Sequence, residues 1–111
     1  MNRGERIALW HYRLRGYRII DRNVRVAGNE LDLIVRRGRT LLFVEVKQRS
    51  SDAFGGPLAA VTAEKRRRLR RAATAWLSRH HGETRGLEIG FEVAAVHGRR
   101  VERVATTLDD S

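Results

Sequence analysis

The chain has 111 residues, 41% of them hydrophobic, with 23 Lys+Arg against 13 Asp+Glu and a formal charge of +10 at pH 7. This is the make-up of one basic domain that buries about two thirds of its unfolded surface in a single core, which excludes two domains and intrinsic disorder. The absence of cysteine excludes a disulfide scaffold and a Cys-ligated zinc finger, so any metal must be held by carboxylates, carbonyls or histidines.

In chain order, Ile7, Ala8, Trp10 and Leu14 recur at helical spacing and Gly16 stands at the C′ position, predicting a helix over 4–15 with those apolar residues as its stripe. Tyr17–Val26, rich in β-branched and aromatic residues, reads as a strand ending at Ala27-Gly28-Asn29. Glu30–Arg37 and Thr40–Gln48 read as two further strands, joined as a hairpin through Gly38-Arg39. Arg49–Val61, with Ser50-Ser51-Asp52 and Gly55-Gly56-Pro57, is a loop of a length that is often functional. Thr62 is an N-cap, and the helix it opens runs to about Arg79 along the stripe Leu69, Ala72, Ala73, Trp76 and Leu77. After a loop marked by Gly82 and Gly86, Leu87–Val96 is a strand whose later half is apolar on both faces. Val101–Ala105 is a candidate edge strand, and 108–111 is expected to fray. The order predicts an α/β fold: one domain over 1–107 with a mixed sheet and a helix on each side. No stretch approaches a signal peptide or the roughly 18 to 20 residues of a membrane span, so a soluble, cytoplasmic protein without a membrane partner is expected.

The third strand carries an anomaly. Side chains alternate faces, so Leu41 and Phe43 share theirs with Glu45 and Lys47 while Leu42, Val44 and Val46 occupy the other. A strand apolar on both sides is normally central and buried, yet this one ends in a carboxylate and an ammonium. A two-residue turn at Gly38-Arg39 pairs Arg37 with Thr40, and that register sets Asp32 opposite Glu45 and Glu30 opposite Lys47. Directly opposed Cβ atoms lie about 4.5 to 5.5 Å apart, where two ionised carboxylates repel. Two compensations fit the residues. A hard divalent cation, Mg²⁺ or Mn²⁺, turns the repulsion into a binding site. Alternatively, one carboxyl is protonated, or Lys47 and nearby arginines neutralise the pair. A metal held there beside a lysine, in a basic protein, suits phosphodiester hydrolysis.

At these residues the sequence resembles the PD-(D/E)xK nuclease superfamily, whose pattern is an Asp on one strand and Glu-x-Lys on the next within a restriction-endonuclease-like αβββαβ core. Asp32 matches the Asp and Glu45-Val46-Lys47 the Glu-x-Lys, with Leu31 in place of the often absent Pro. More closely, the chain is similar to the YraN-like family of small uncharacterised bacterial proteins. The matching stretches are Gly4-Glu5 with Ala8, Gly16-Tyr17, Arg22-Asn23-Val24-Arg25, Glu30-Leu31-Asp32-Leu33-Ile34, Phe43-Val44-Glu45-Val46-Lys47 with Arg49, and Lys65 with Arg68-Leu69. The resemblance implies metal coordination by Asp32, Glu45 and the Val46 carbonyl, with Lys47 as the catalytic lysine. Archaeal Holliday-junction resolvases of the same superfamily also use a Glu of the first helix, and Glu5 stands in that place; the plainer account is a first-turn Glu complementing the helix dipole. Where relatives carry an Asp in the last core strand, this chain has Glu92.

Charge of this size calls for a polyanionic partner, with nucleic acid ahead of an acidic membrane or protein. Lys65, Arg66, Arg67, Arg68, Arg70 and Arg71 form a nearly unbroken basic run on the second helix, with few acids to balance it. They read as a sequence-independent phosphate-tracking face, with Arg49, Arg22 and Arg25 as secondary candidates. Gln48 points to the other face of its strand. His80-His81 suit a helix C-terminus better than a metal, and Trp10, Tyr12, Tyr17 and Trp76 are spaced as core residues. No phosphate-binding Gly-rich loop, Ser/His/Asp set or Cys nucleophile is present. Two functions follow: a Mg²⁺- or Mn²⁺-dependent nuclease acting on DNA rather than RNA, with branched or repair intermediates as candidate substrates, or a binding module that keeps the nuclease fold without turnover. A symmetric two-strand substrate would suit a homodimer.

Overall fold

A computed structural model of the chain describes residues 1–49 and 61–107. The interior of the loop expected over 49–61 and the tail expected over 108–111 lie outside the described residues. The elements are α1 (Arg3–Leu14), β1 (Arg18–Val26), β2 (Asn29–Arg37), β3 (Thr40–Gln48), α2 (Ala63–Arg79), α3 (His81–Thr84), β4 (Glu88–His97) and β5 (Arg100–Thr106). The strands form one sheet in the order β1-β2-β3-β4-β5. Neighbours are antiparallel except β3 and β4, which run parallel across the α2 crossover. The candidate edge strand is a full member of the sheet, β5, and the short α3 occupies part of the expected loop. No helix among the described residues is long and apolar enough to cross a membrane.

Gly38 takes φ +60° and Arg37 pairs with Thr40, so the β2–β3 hairpin closes through the expected two-residue turn. The β1–β2 turn also has two central residues, Ala27 and Gly28, at φ +52° and +77°. That pattern is type I′, and a residue with a Cβ is strained at its first position. Ala27→Asn, which tolerates the left-handed region, is therefore expected to raise stability by about 0.5–1 kcal/mol, read as a higher urea midpoint at unchanged m-value.

Alternation along β2 and β3 builds two cores, one under each helix. Leu33, Val35, Leu42 and Val44 pack against Ala8, Leu9 and Tyr12 of α1. Ile34, Leu41 and Phe43 pack against Ala72, Ala73 and Trp76 of α2. Thr62 caps α2 by accepting from the Lys65 amide at 3.2 Å. Val93 to Val96 of β4 are buried in succession, as a strand covered on both faces must be. This arrangement of a mixed sheet between α1 and α2 is consistent with a nuclease-like αβββαβ core.

One helix face differs from expectation. The buried residues of α1 are Gly4, Glu5, Ala8, Leu9 and Tyr12, whereas Trp10 is 55% and Leu14 78% exposed. The true stripe includes a carboxylate and a phenol whose polar atoms find partners inside, so counting apolar residues alone rotates it. Trp10 is thus a surface residue, while Tyr12, Tyr17 and Trp76 are core residues. Ile89, at the start of β4, is also exposed.

Candidate functional site

The ladder between β2 and β3 runs from Arg37–Thr40 to Leu33–Val44 and stops there. Continued by one step it would oppose Asp32 and Glu45, as the sequence predicts. Instead the Val46 amide donates to Asp32 Oδ2 at 2.8 Å, so a side chain replaces the next backbone partner and is anchored where the two strands part. A strand residue's N–H and C=O point to the same side, so the Val46 carbonyl faces the same opening.

The first turn of α1 brings in Glu5. Asn2 caps the helix by accepting from the Glu5 amide at 2.8 Å, while Glu5 Oε1 accepts from the Asn2 amide at 3.0 Å, a closed capping box. Gly4 lets this turn seat on the end of β3, since a Cβ there would meet Gln48 Oε1 at 3.2 Å. Glu5 is consequently only 7% exposed although it is a first-turn carboxylate. Asn23 of β1 adopts φ +48°, and its Nδ2 donates to Glu5 Oε2 at 3.1 Å and Glu30 Oε1 at 3.4 Å. One oxygen each of Glu5, Glu30 and Asp32 thereby lie within 4.8 Å of one another, a cluster able to hold a metal ion.

The electrostatics record the crowding. Burial, then the charge of Glu45, and then those of Glu5 and Glu30 push the Asp32 carboxyl up to about 7, against the pull of the Val46 amide. Glu45 is as buried as Glu5, but cations answer it: its Oε1 lies 3.2 Å from Lys65 Nζ and 3.6 Å from Lys47 Nζ. Among the described residues no cation forms an ion pair with Glu5, Glu30 or Asp32. The oxygen-only donor set, its net negative charge and the lack of an ion-pair partner among the described residues fit a hard divalent cation.

The predicted residues are therefore distributed as follows. Asp32 and Glu5 sit in the carboxylate cluster together with Glu30, which approaches Asn23 and Glu5. Glu45 lies beside the cluster and binds the two lysines. Lys65, predicted to track phosphates, reaches into the site from α2 on the opposite face of the sheet. Arg67, Arg68 and Arg71 are exposed along α2, Arg66 and Arg70 half-buried, and Arg68 is paired with Glu64. Arg49 is half-buried, with its amide on the Val96 carbonyl at 2.9 Å. His80 stacks on Trp76, the ring centres 3.9 Å apart. Glu92 is tied to Tyr12 and Arg103 under α1. Sequence reasoning assigned no role to Asn23. Its signal was its type: asparagine tolerates positive φ and is a poor strand former in the middle of β1.

The pattern of the uncharacterised protein family UPF0102 matches residues 4–105. Similar proteins include the UPF0102 protein YraN of Escherichia coli O157:H7 and that of Escherichia coli strain K12. Each is 42% identical over 96 residues, which are 86% of this chain and 73% of the relative.

Proposed function

The chain belongs to the uncharacterised protein family UPF0102, and from that premise and the clustered carboxylates we propose that it is a metal-dependent nuclease that hydrolyses DNA phosphodiesters. The observation that carries the reading is the set of three carboxylate oxygens within 4.8 Å of one another, with Glu45, whose charge acts on Asp32, holding two lysines. Asp32, Glu5 and Glu30, with the Val46 carbonyl, would hold Mg²⁺ or Mn²⁺. Such an ion, when bound, polarises a phosphate oxygen and lowers the pKa of water.

The remaining work falls to the chain's own groups. Glu45 fixes the ammonium groups of Lys47 and Lys65 next to the cluster, where they stabilise negative charge developing on a phosphate. In this arrangement Glu45 anchors the lysines and is not one of the three clustered donors. Asn23 holds Glu5 and Glu30 together through a single amide, which limits their repulsion while no cation is present. The exposed arginines of α2 track the backbone of the substrate, so binding weakens steeply with salt and carries no base preference.

The test is cleavage of a panel of duplex, single-stranded and branched DNA in Mg²⁺ or Mn²⁺. Lys47→Ala, a change at a half-buried position, is expected to slow cleavage by about 10²-fold at unchanged metal affinity. Wild-type protein that cleaves nothing in the panel faster than Lys47→Ala would overturn the enzymatic reading. Manganese binding without cleavage would leave the binding module that retains the fold.

A further inference from the structure

Helix α1 has a second face that the core covers only in part, through Ile7. Ile7, Trp10, His11 and Leu14 follow one another at helical spacing along it, and together with the β4–β5 turn they border an open groove of about 800 Å³. Five arginines also line this groove: Arg3, Arg6 and Arg15 from the helix side, Arg99 and Arg100 from the turn. No carboxylate does. Among the described residues none of the five forms an ion pair. The guanidinium groups of Arg6 and Arg15 donate, among the described residues, only to the backbone carbonyls of Met1 and His11, both at 3.1 Å, which leaves their charge uncompensated. Trp10 stands 55% exposed at the centre of this charge, with the Arg13 guanidinium 5.3 Å from its ring centre. His11 Nε2 is buried without a hydrogen-bond partner. Burial, with Arg15 and Arg103 nearby, holds the His11 pKa below its ordinary value.

These features select among polyanions. An acidic peptide would be satisfied by the arginines and would have no use for an exposed indole. A duplex presents phosphates but keeps its bases stacked inside. A single strand offers both a chain of phosphates and free base faces, and stacking on an aromatic side chain is the usual source of its affinity. We propose that this groove binds single-stranded nucleic acid, with phosphates on Arg3, Arg6, Arg15, Arg99 and Arg100 and a base stacked on Trp10. The twelve residues of α1 span about 18 Å, room for roughly three to five nucleotides. The groove lies on the opposite face of the sheet from α2, so it is separate from the basic helix. Arg3 and Arg6 flank Glu5 in the chain, so a strand lying in the groove ends beside the carboxylate cluster. Binding here requires no metal.

Because Trp76 is only 2% exposed, a change in tryptophan emission on adding an oligonucleotide reports Trp10. The experiment is a fluorescence titration in EDTA with a twelve-residue oligothymidylate, a duplex of equal length, and polyglutamate. Saturable quenching is expected with the single strand, at least tenfold weaker binding with the duplex, and no comparable response to polyglutamate. Trp10→Ala should weaken single-strand binding, followed by anisotropy of a labelled strand, about tenfold, and Trp10→Phe should restore most of it. Arg99→Glu with Arg100→Glu should weaken it more than tenfold and flatten its salt dependence. These side chains are exposed, and circular dichroism verifies that each variant is folded. Absence of quenching, unchanged affinity in Trp10→Ala, or an equal response to polyglutamate overturns the proposal. The titration is run in EDTA and reads binding alone, so a protein that binds the strand but cleaves nothing overturns the metal reading and not the groove, and one that cleaves without quenching overturns the groove and not the metal reading.

Discussion

Asp32→Asn is expected to stabilise the metal-free protein at pH 8 by about 2 kcal/mol while abolishing both its response to Mn²⁺ and its cleavage of DNA. The two effects have one cause. Burial and three neighbouring carboxylates push Asp32 up to about 7 from an ordinary 3.8. At about 1.4 kcal/mol per unit this sets a ceiling near 4 kcal/mol, which partial solvent exposure roughly halves. The sign follows from proton counts. Between about pH 4 and 7 the folded protein holds a proton on Asp32 that the unfolded chain has released, so stability falls as pH rises through that window and levels off above it. Asparagine keeps an oxygen for the Val46 amide, which lies 2.8 Å from Asp32 Oδ2, and removes only the charge. Urea midpoints should therefore separate wild type from variant by roughly 1 M at pH 8, taking an m-value of about 2 kcal/mol/M, and converge toward pH 4. Mn²⁺ should raise the wild-type midpoint more at pH 8 than at pH 5, because binding must displace the proton, and should leave the variant unmoved. Equal pH slopes for the two proteins would remove the electrostatic account of the site.

How much of this could be read in advance depends on the range of the interaction. The β2–β3 register was legible from Arg37–Thr40 to Leu33–Val44 because one two-residue turn, Gly38-Arg39, sets those pairs; the expected pairs Asp32–Glu45 and Glu30–Lys47 are not in the ladder, because the Val46 amide takes Asp32 Oδ2 as its acceptor where the strands part. α2 was legible because Thr62 and the Leu69-to-Leu77 stripe are local signals. The buried face of α1 was not. Glu5 and Tyr12 turn inward because Asn23 and Glu92, distant in sequence, supply their hydrogen bonds, and hydropathy counts see neither. Asn23 takes its left-handed conformation a few residues after the register shift between Ile19 and Asp21, which no propensity marks. Lys65 meets Glu45 only when α2 docks on the far face of the sheet. The parts of the site carried by one hairpin were thus readable, and the parts delivered by the two helices required the packed structure.

Glu92→Ala is expected to lower stability by about 3 kcal/mol, a fall in melting temperature on the order of 10 °C, without touching metal binding. Glu92 Oε1 accepts from the Tyr12 hydroxyl at 2.7 Å and from Arg103 Nε at 2.8 Å, and Oε2 accepts from Arg103 Nη2 at 3.0 Å. The same guanidinium donates to the Tyr17 hydroxyl at 3.2 Å and lies 4.7 Å from the centre of the Tyr12 ring. One carboxylate therefore ties α1, the entry to β1, β4 and β5. Burial alone would raise its pKa, but hydrogen bonds from Arg103 and Tyr12 outweigh it and hold the carboxyl below its ordinary value. Breaking a fully buried ion pair costs about 3–5 kcal/mol and stranding a buried hydroxyl about 1–3. Glu92 and Arg103 retain some solvent contact, 14% and 25%, which brings the expected cost below the roughly 4 kcal/mol that the two lower bounds add to, to about 3 kcal/mol. The pH dependence runs opposite to that of Asp32. A lowered carboxylate contributes stability above its unfolded pKa and loses it as pH falls through the folded value, so wild type should weaken in acid where Glu92→Ala is already flat. Glu92→Gln keeps an acceptor for Tyr12 and should lose less. Tyr12→Phe separates a shared network from independent contacts: it should cost about 1 kcal/mol in the wild type and almost nothing in the Glu92→Ala background. Additive losses in the double variant would mean that Tyr12 is held by packing against Leu33 and Val44, and that the carboxylate organises only its own strand pair.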